Sequence, residues 1–294
     1  MKHSVKDWII ATRPWSFPAS VMPVLITLFW LWSRGEEVNW LLGVLAILNI
    51  VLVHAAGNVW SDISDYRSGV DAQDTYGIRL LVDGDFTVGE FRRLSVTLNI
   101  LAVLLGILMV ALTGLTLLYI GVAGILLSLS YPRLKYMALG DVVIILCYAL
   151  LPMLGTSYIA TGRLVWDALW LAVPVGLITV AILHANNVRD IETDQRAGIR
   201  TFPMLTGRAF GVRLYAFEVL FPYLWLVALV LTDVGTGWLL TGLLALPVAV
   251  ANVRMIWGRH KQAAAYSTLD EKTAQLQLLF SLLLIVGMTL SVYL

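Results

Sequence analysis

Residues 93–113 read Arg93-Leu-Ser-Val-Thr-Leu-Asn-Ile-Leu-Ala-Val-Leu-Leu-Gly-Ile-Leu-Met-Val-Ala-Leu-Thr113, with no charge after Arg93. A helix needs about 20 predominantly apolar residues to cross the hydrocarbon core of a bilayer, and this stretch supplies them without the strict alternation of a barrel strand. Eight further stretches of the same kind lie on either side of it, at 15–33, 39–60, 115–131, 140–161, 165–188, 211–232, 235–257 and 272–294. The composition agrees: the 294 residues are 59% hydrophobic and 13% charged, with a mean hydropathy of +0.83, whereas a soluble domain carries roughly 25% charged residues. So few charges cannot cover a globular surface, which excludes an ordinary soluble enzyme, a disordered chain and a coiled coil. The expected fold is all-α, a polytopic membrane protein with nine transmembrane helices forming one unit over residues 1–294. The first stretch is too long for a signal-peptide core and lacks a clean cleavage site, so it is expected to stay in the mature chain. The single cysteine, Cys147, excludes a disulfide framework and a cysteine-based metal cage.

The positions of the charges set the orientation. With nine spans and a cytoplasmic N-terminus, the inside segments hold Lys2, Lys6, Arg13, Arg67, Arg79, Arg92, Arg93, Arg133, Lys135, Arg189, Arg196, Arg200, Arg208, Arg213, Arg254, Arg259, Lys261 and Lys272, which is 18 of the 20 basic residues. Only Arg34 and Arg163 fall outside. Lysine and arginine accumulate in cytoplasmic loops, so the bias predicts a cytoplasmic N-terminus. A missed helix would scramble it. The outside connections are short, whereas two inside segments, about 61–92 and 189–210, are long and polar. Long connections of this kind usually carry function, and the working face is therefore expected on the cytoplasmic side.

Those two segments resemble each other. The first reads Asp62-Ile-Ser-Asp65-Tyr-Arg67-Ser-Gly69-Val and the second Asp190-Ile-Glu-Thr-Asp194-Gln-Arg196-Ala-Gly198-Ile, with one residue inserted in the second. Asn58 stands four residues before Asp62, and Asn186 four before Asp190. Each copy follows an even-numbered span, which suggests an internal four-helix pseudo-repeat. Residues three or four apart share a helix face, so Asn58, Asp62 and Asp65 point one way from the end of the second span. Asn186, Asp190 and Asp194, with Asn187 beside them, do the same from the sixth. Four carboxylates brought to one cavity repel each other and need cations. Hard oxygen ligands suit Mg²⁺, which takes a few carboxylates and completes its shell with water and phosphate oxygens. A magnesium-held diphosphate is the expected occupant, with nearby arginine and lysine on its outer oxygens. A lone carboxylate at a helix end is as often simply solvated. The matching register of the two clusters is what favours a site.

The chain resembles the UbiA-type intramembrane aromatic prenyltransferases, which have nine transmembrane helices and two Asp-rich motifs. Asn58-Val-Trp-Ser-Asp62-Ile-Ser-Asp65-Tyr, continuing to Gly69-Val-Asp71, is similar to the first motif. Asn186-Asn187-Val-Arg189-Asp190-Ile-Glu-Thr-Asp194, followed by Arg196-Ala-Gly198 and Arg200-Thr201, is similar to the second. The doubled asparagine, the Arg-Asp pair and the Gly-x-x-Thr resemble the 1,4-dihydroxy-2-naphthoate branch of menaquinone biosynthesis, as do Trp8-Ile-Ile-Ala-Thr-Arg13-Pro14 and Arg79-Leu80-Leu81-Val82-Asp83-Gly84. Tyr131-Pro132-Arg133-Leu134-Lys135-Tyr136 resembles the family's Tyr-x-x-x-Lys segment. Ser61 departs from the asparagine common in that branch before the first aspartate.

The resemblance implies that Asp62, Asp65, Asp190 and Asp194 are the catalytic carboxylates and, with Asn58 and Asn186 or Asn187, hold Mg²⁺ on a polyprenyl diphosphate. Arg67, Arg79, Lys135 and Arg189 would grip the diphosphate, Tyr131 would position a substrate, and Arg13 would meet the acceptor's carboxylate. The reaction implied is transfer of a polyprenyl group to 1,4-dihydroxy-2-naphthoate with loss of CO₂, giving demethylmenaquinol. 4-Hydroxybenzoate, homogentisate and a tetrapyrrole alcohol are the acceptor alternatives, and a secondary transporter is the rival from another class. The implied setting is a multi-pass protein of a bacterial inner membrane with its active site toward the cytoplasm. Its partners would be the two substrates and the lipid bilayer, and no nucleic acid. Trp60, Tyr66, Tyr148 and Tyr158 are candidate π-faces for an allylic cation. His3, His54, His184 and His260 read as packing residues, and Arg208, Arg254 and Arg259 as membrane anchors.

Overall fold

A computed structural model describes residues 3–73, 79–258 and 263–294; Lys2, Arg259, His260 and Lys261 of the reading above lie outside the described residues. Among the described residues there is no β-strand, only one bridge between Met137 and Arg200 that ties two polar connections together. Eight helices among the described residues are long and apolar enough to cross a membrane. The short α1 (Val5–Ala11) opens the described chain behind a Ser4–Asp7 capping box. The spans then run through α2 (Pro18–Ser33), α3 (Trp40–Ser68), α4 (Val88–Thr113) and α5 (Leu115–Lys135).

The next span, Gly140–Thr161, is not one α-helix. It is built from α6 (Gly140–Ile145), a π-helical segment Leu146–Leu150 and α7 (Leu151–Thr161). Pro152 contributes no N–H, and a π-turn immediately before it takes up the disturbed bonding. The second half of the bundle holds α8 (Ala172–Arg189), the short α9 (Ile191–Arg196) and α10 (Phe202–Thr206), then α11 (Arg208–Leu231), α12 (Leu246–Ile256) and α13 (Leu269–Tyr293). Helix α12 completes a span begun by the 3₁₀ segment Gly237–Ala245. Helix α8, the sixth stretch of the sequence reading, is not among the eight. Its last two turns carry His184, Asn186, Asn187 and Arg189, which dilute its apolar character.

The helix ends follow local chemistry. Asn39 caps α3 by accepting from Leu42 N at 3.1 Å, and Thr87 and Glu90 form a reciprocal capping box at the start of α4. Helix α3 continues past the expected end of its span to Ser68, where Gly69 at φ 73° closes it. The first acidic motif is therefore helical, not part of a loop. The second is broken: α8 ends at Arg189, Asp190 takes φ −94° and ψ 12°, and α9 starts at Ile191.

The core runs through the second half of the bundle, where Val175, Ile178, Tyr215, Val219, Leu226 and Phe280 are each 0% exposed. Ile100, Leu104, Ile107, Leu108 and Leu112 of α4 are exposed instead. An apolar outer face with internally bonded backbone is what a lipid-facing helix presents.

Candidate active site

A cavity of about 1100 Å³ enters the bundle between the two acidic motifs. Helix α3 contributes His54, Asn58, Ser61 and Asp65 to its wall. Tyr131 and Lys135 come from the end of α5. Asn186, Asn187, Arg189, Asp190, Thr193 and Asp194 come from the α8–α9 corner. Arg13, Ser16 and Asp71 close one side, and Asp270 and Glu271 at the start of α13 close another. Deeper, the wall turns apolar, with Ile50, Val53, Gly106, Ile125, Leu151 and Ile159. Val103, Ile107, Leu118 and Val122 line the cavity and are also exposed on the outer face, so it opens sideways between α4 and α5.

The polar end alternates acid and base. Lys135 Nζ lies 3.5 Å from Asp65 Oδ2, and the Tyr136 hydroxyl donates to Asp65 Oδ1 at 2.6 Å. Arg189 holds Asp190 through two parallel bonds of 2.7 and 2.8 Å. It also donates to Ser267 O at 2.9 Å and pairs with Asp270 at 3.2 Å. Asn58 donates to Thr12 O at 2.9 Å and to Ser16 Oγ at 3.0 Å. Arg13 pairs with Asp62. Its backbone sits in the left-handed region at φ 55°, a costly position for a non-glycine residue that recurs at functional sites.

Burial pushes the Asp194 carboxyl up to about 7; the carboxylates of Asp190 and Asp65 add to the shift, and Lys135 and Arg189 oppose it. Burial likewise raises Asp71, with Asp65 contributing. The two motifs thus feel each other across one cavity. The donor set is hard: carboxylate oxygens from both motifs, plus the buried Asn186 Oδ1, which has no hydrogen-bond partner. Oxygen ligands with an excess of negative charge fit a divalent cation such as Mg²⁺.

Several expected residues lie elsewhere. Arg67 is exposed and off the cavity wall, because two residues beyond Asp65 means roughly 200° around a helix. Asp62 shares the face of Asp65, but the Arg13 side chain covers it. It lines a small adjoining recess with Asp71 and Arg79. Arg79 bonds the carbonyls of Ala72 and Gln73 and pairs with Asp83 at 3.6 Å, so it too is off the main wall. Of the four aromatic candidates only Tyr148 lines the cavity. Tyr66 is exposed, Trp60 donates to Leu129 O and Tyr158 to Thr113 O.

The wall also contains residues that the sequence reading passed over. Asp71 appeared there only as the tail of the first motif. His54, bonded to Ser20 Oγ at 2.9 Å, looked like packing. Asp270 reads as an ordinary acid in a first helical turn.

The model of the UbiA prenyltransferase family matches residues 20–292. This chain belongs to the UbiA prenyltransferase family. It is therefore a multi-pass membrane enzyme that transfers prenyl groups, and the transporter reading falls. UbiA prenyltransferase domain-containing protein 1 of Xenopus tropicalis is 32% identical over 298 residues, covering 99% of this chain and 84% of its own. The Drosophila melanogaster homolog of that protein is 34% identical over 293 residues, covering 96% and 79%. These UbiA relatives are animal proteins named for the domain and not for a naphthoate, so the bacterial setting and the menaquinone branch gain no support from them. Among solved structures, an apo UbiA homolog from Aeropyrum pernix K1 superposes with a TM-score of 0.70 at 17% identity, covering 99% of this chain and 100% of its own. A UbiA homolog from Archaeoglobus fulgidus bound to GPP and Mg²⁺ does so at 0.61 and 13% identity, covering 94% and 99%.

Proposed function

We propose that this enzyme transfers a polyprenyl group from a polyprenyl diphosphate to 1,4-dihydroxy-2-naphthoate, with Mg²⁺ and with loss of CO₂. One observation carries the reading: both acidic motifs, with Lys135 and Arg189, line one end of a cavity whose other end is apolar and open to the side. A diphosphate head suits the first end and an isoprenoid tail the second, leaving through the α4–α5 gap into lipid. The Archaeoglobus fulgidus homolog, solved with GPP and Mg²⁺, supports the same donor chemistry here.

In this reading Asp65, Asp190 and Asp194, with Asn58 and Asn186, hold Mg²⁺, and Asn187 supports them. Asp62 acts through Arg13, which it orients. Bound Mg²⁺ would stabilise the charge developing on the departing diphosphate. Lys135 and Arg189 bond the diphosphate's outer oxygens, a preorganised electrostatic role. The apolar wall excludes water from the allylic carbon, and Tyr148 and Tyr131 flank the acceptor. Arg13 is the group for an acceptor carboxylate. The allylic C–O bond breaks and its electron pair leaves with the diphosphate. A C–C bond forms at the ring carbon bearing the carboxylate. The bond to that carboxylate then breaks, and its pair restores the aromatic ring.

We also infer that α8 is a ninth span and that the N-terminus and the cavity mouth face the cytoplasm. The basic residues that gather on the side of the two motifs support both inferences.

The purified enzyme, supplied with Mg²⁺ and geranylgeranyl diphosphate, is to be offered 1,4-dihydroxy-2-naphthoate, 4-hydroxybenzoate and homogentisate in parallel. A prenylated, decarboxylated naphthoquinol is the expected product. Prenylation of 4-hydroxybenzoate or homogentisate alone would overturn the acceptor and leave the donor chemistry standing.

A further inference from the structure

Three ionisable side chains meet outside the cavity. Asp141 lies in the first turn of α6, His184 one turn before Asn187 on α8, and Glu218 within α11. None of them lines the cavity. His184 is 0% exposed and Glu218 3%. His184 Nδ1 stands 3.5 Å from Asp141 Oδ2 and 3.6 Å from Glu218 Oε1, and one ligand atom from each residue lies within 4.8 Å of the other two. No hydrogen bond joins them, and His184 Nδ1, His184 Nε2 and Glu218 Oε2 are buried without a partner. Among the described residues no lysine or arginine pairs with any of the three.

Such an arrangement is costly as it stands. A carboxylate taken out of water carries a penalty of several kcal/mol unless it is paired, and ionisable groups inside a membrane bundle mark function by default. One divalent cation between Nδ1 and the two carboxylates would balance their charge and give Nδ1 a partner. A tetrahedral ion with bonds near 2.0–2.2 Å holds its ligand atoms about 3.3–3.6 Å apart, which is the spacing of Nδ1 from both carboxylates. Two carboxylates cancel a double positive charge and leave a neutral cluster. The imidazole selects a borderline ion such as Zn²⁺ over Mg²⁺ or Ca²⁺, in contrast to the all-oxygen donors of the cavity. The nitrogen free to ligate is Nδ1. Nε2 faces Gly211, where even a Cβ would approach to 3.4 Å.

We propose that Asp141, His184 and Glu218 bind one divalent transition-metal ion, Zn²⁺ being the best match, at a site separate from the cavity. The ion joins α6, α8 and α11 from behind the wall that carries Asn187, Arg189 and Asp190. The site depends on no part of the substrate assignment.

The test uses the full chain in detergent, stripped with EDTA and titrated with Co²⁺ as a spectroscopic probe. We expect about one equivalent giving the intense visible bands of a tetrahedral N/O site, displaced by Zn²⁺ and untouched by excess Mg²⁺. The bands should persist in the double variant Asp190→Asn/Asp194→Asn. Glu218→Gln and His184→Asn should weaken Co²⁺ binding by at least tenfold, since losing a ligand costs no less than the 10–100-fold lost with an outer-shell partner of one. The proposal is overturned if the unmodified protein shows no such bands, if the cavity double variant loses them, or if Glu218→Gln keeps them unchanged. Should the Glu218 and His184 variants not fold, the unmodified protein and the cavity variant decide the matter alone. Prenyl transfer is not measured, so a failed acceptor assay has no bearing on the result.

Discussion

Lys135 and Arg67 separate two places where the diphosphate could sit. Lys135 Nζ is 3.5 Å from Asp65 in the cavity wall, whereas Arg67 points outward from the same stretch of α3. Removing one preorganised donor to a developing oxyanion costs about 10²–10³ in rate. Lys135→Met should therefore lower kcat/KM by that factor. Arg67→Ala, an exposed change with no cavity contact, should stay within about twofold. Steady-state kinetics on both variants checks this, and the reverse pattern would move the diphosphate to the outer face of α3.

Asp194 gives a pH signature at the same scale. Its carboxyl is pushed up to about 7 in the folded protein from an ordinary 3.8, by burial first and then by Asp190 and Asp65. Below 3.8 both folded and unfolded states hold the proton, so the group contributes no pH dependence. Between 3.8 and about 7 the folded state keeps a proton that the unfolded state has lost. Stability therefore falls as pH rises through that window and levels off above it. Thermal unfolding in detergent and EDTA should show the difference between the unmodified protein and Asp194→Asn widening across the window. A difference that does not change with pH would place Asp194 in a solvated environment.

The helices show what a sequence can and cannot carry. Eight of the nine apolar stretches and the duplicated Asn-Asp-Asp register were legible, because bilayer thickness sets the first and helical periodicity the second. Asn58, Asp65, Asn186, Asn187, Asp190 and Asp194 do share one cavity. What the register could not show is how the two copies differ. Helix α3 carries its motif unbroken to Ser68, while α8 stops at Arg189 and turns at Asp190. The π-segment Leu146–Leu150, which turns Cys147 and Tyr148 to the cavity, left no periodic trace in a run of apolar residues. Long-range partners were equally invisible. Nothing near Asp62 in sequence announces Arg13, and nothing near His184 announces Asp141 and Glu218, because both groupings are made by packing between helices distant in the chain.

For the whole molecule, the shared cavity constrains how many times the chain crosses the bilayer. The first motif lies at the end of α3. Three spans follow before α8 begins: α4, α5 and the composite Gly140–Thr161. An odd number of crossings leaves the start of α8 on the face opposite the first motif. The second motif, at the far end of α8, lines the same cavity end as the first, which is the ground for proposing α8 as a ninth crossing although its last turns are polar. Ionisable and amide side chains are tolerated there because they face the cavity and not lipid. In a Cys147→Ser background, single cysteines at the exposed positions Arg67, Arg163 and Glu192 test this with a membrane-impermeant thiol reagent on sealed, right-side-out vesicles. Arg163→Cys should react from outside. Arg67→Cys and Glu192→Cys should react only after the membrane is opened. If Glu192→Cys reacts together with Arg163→Cys, α8 does not cross. If Arg67→Cys and Glu192→Cys react from outside and Arg163→Cys does not, the crossing stands and the cavity opens on the opposite side from the one inferred.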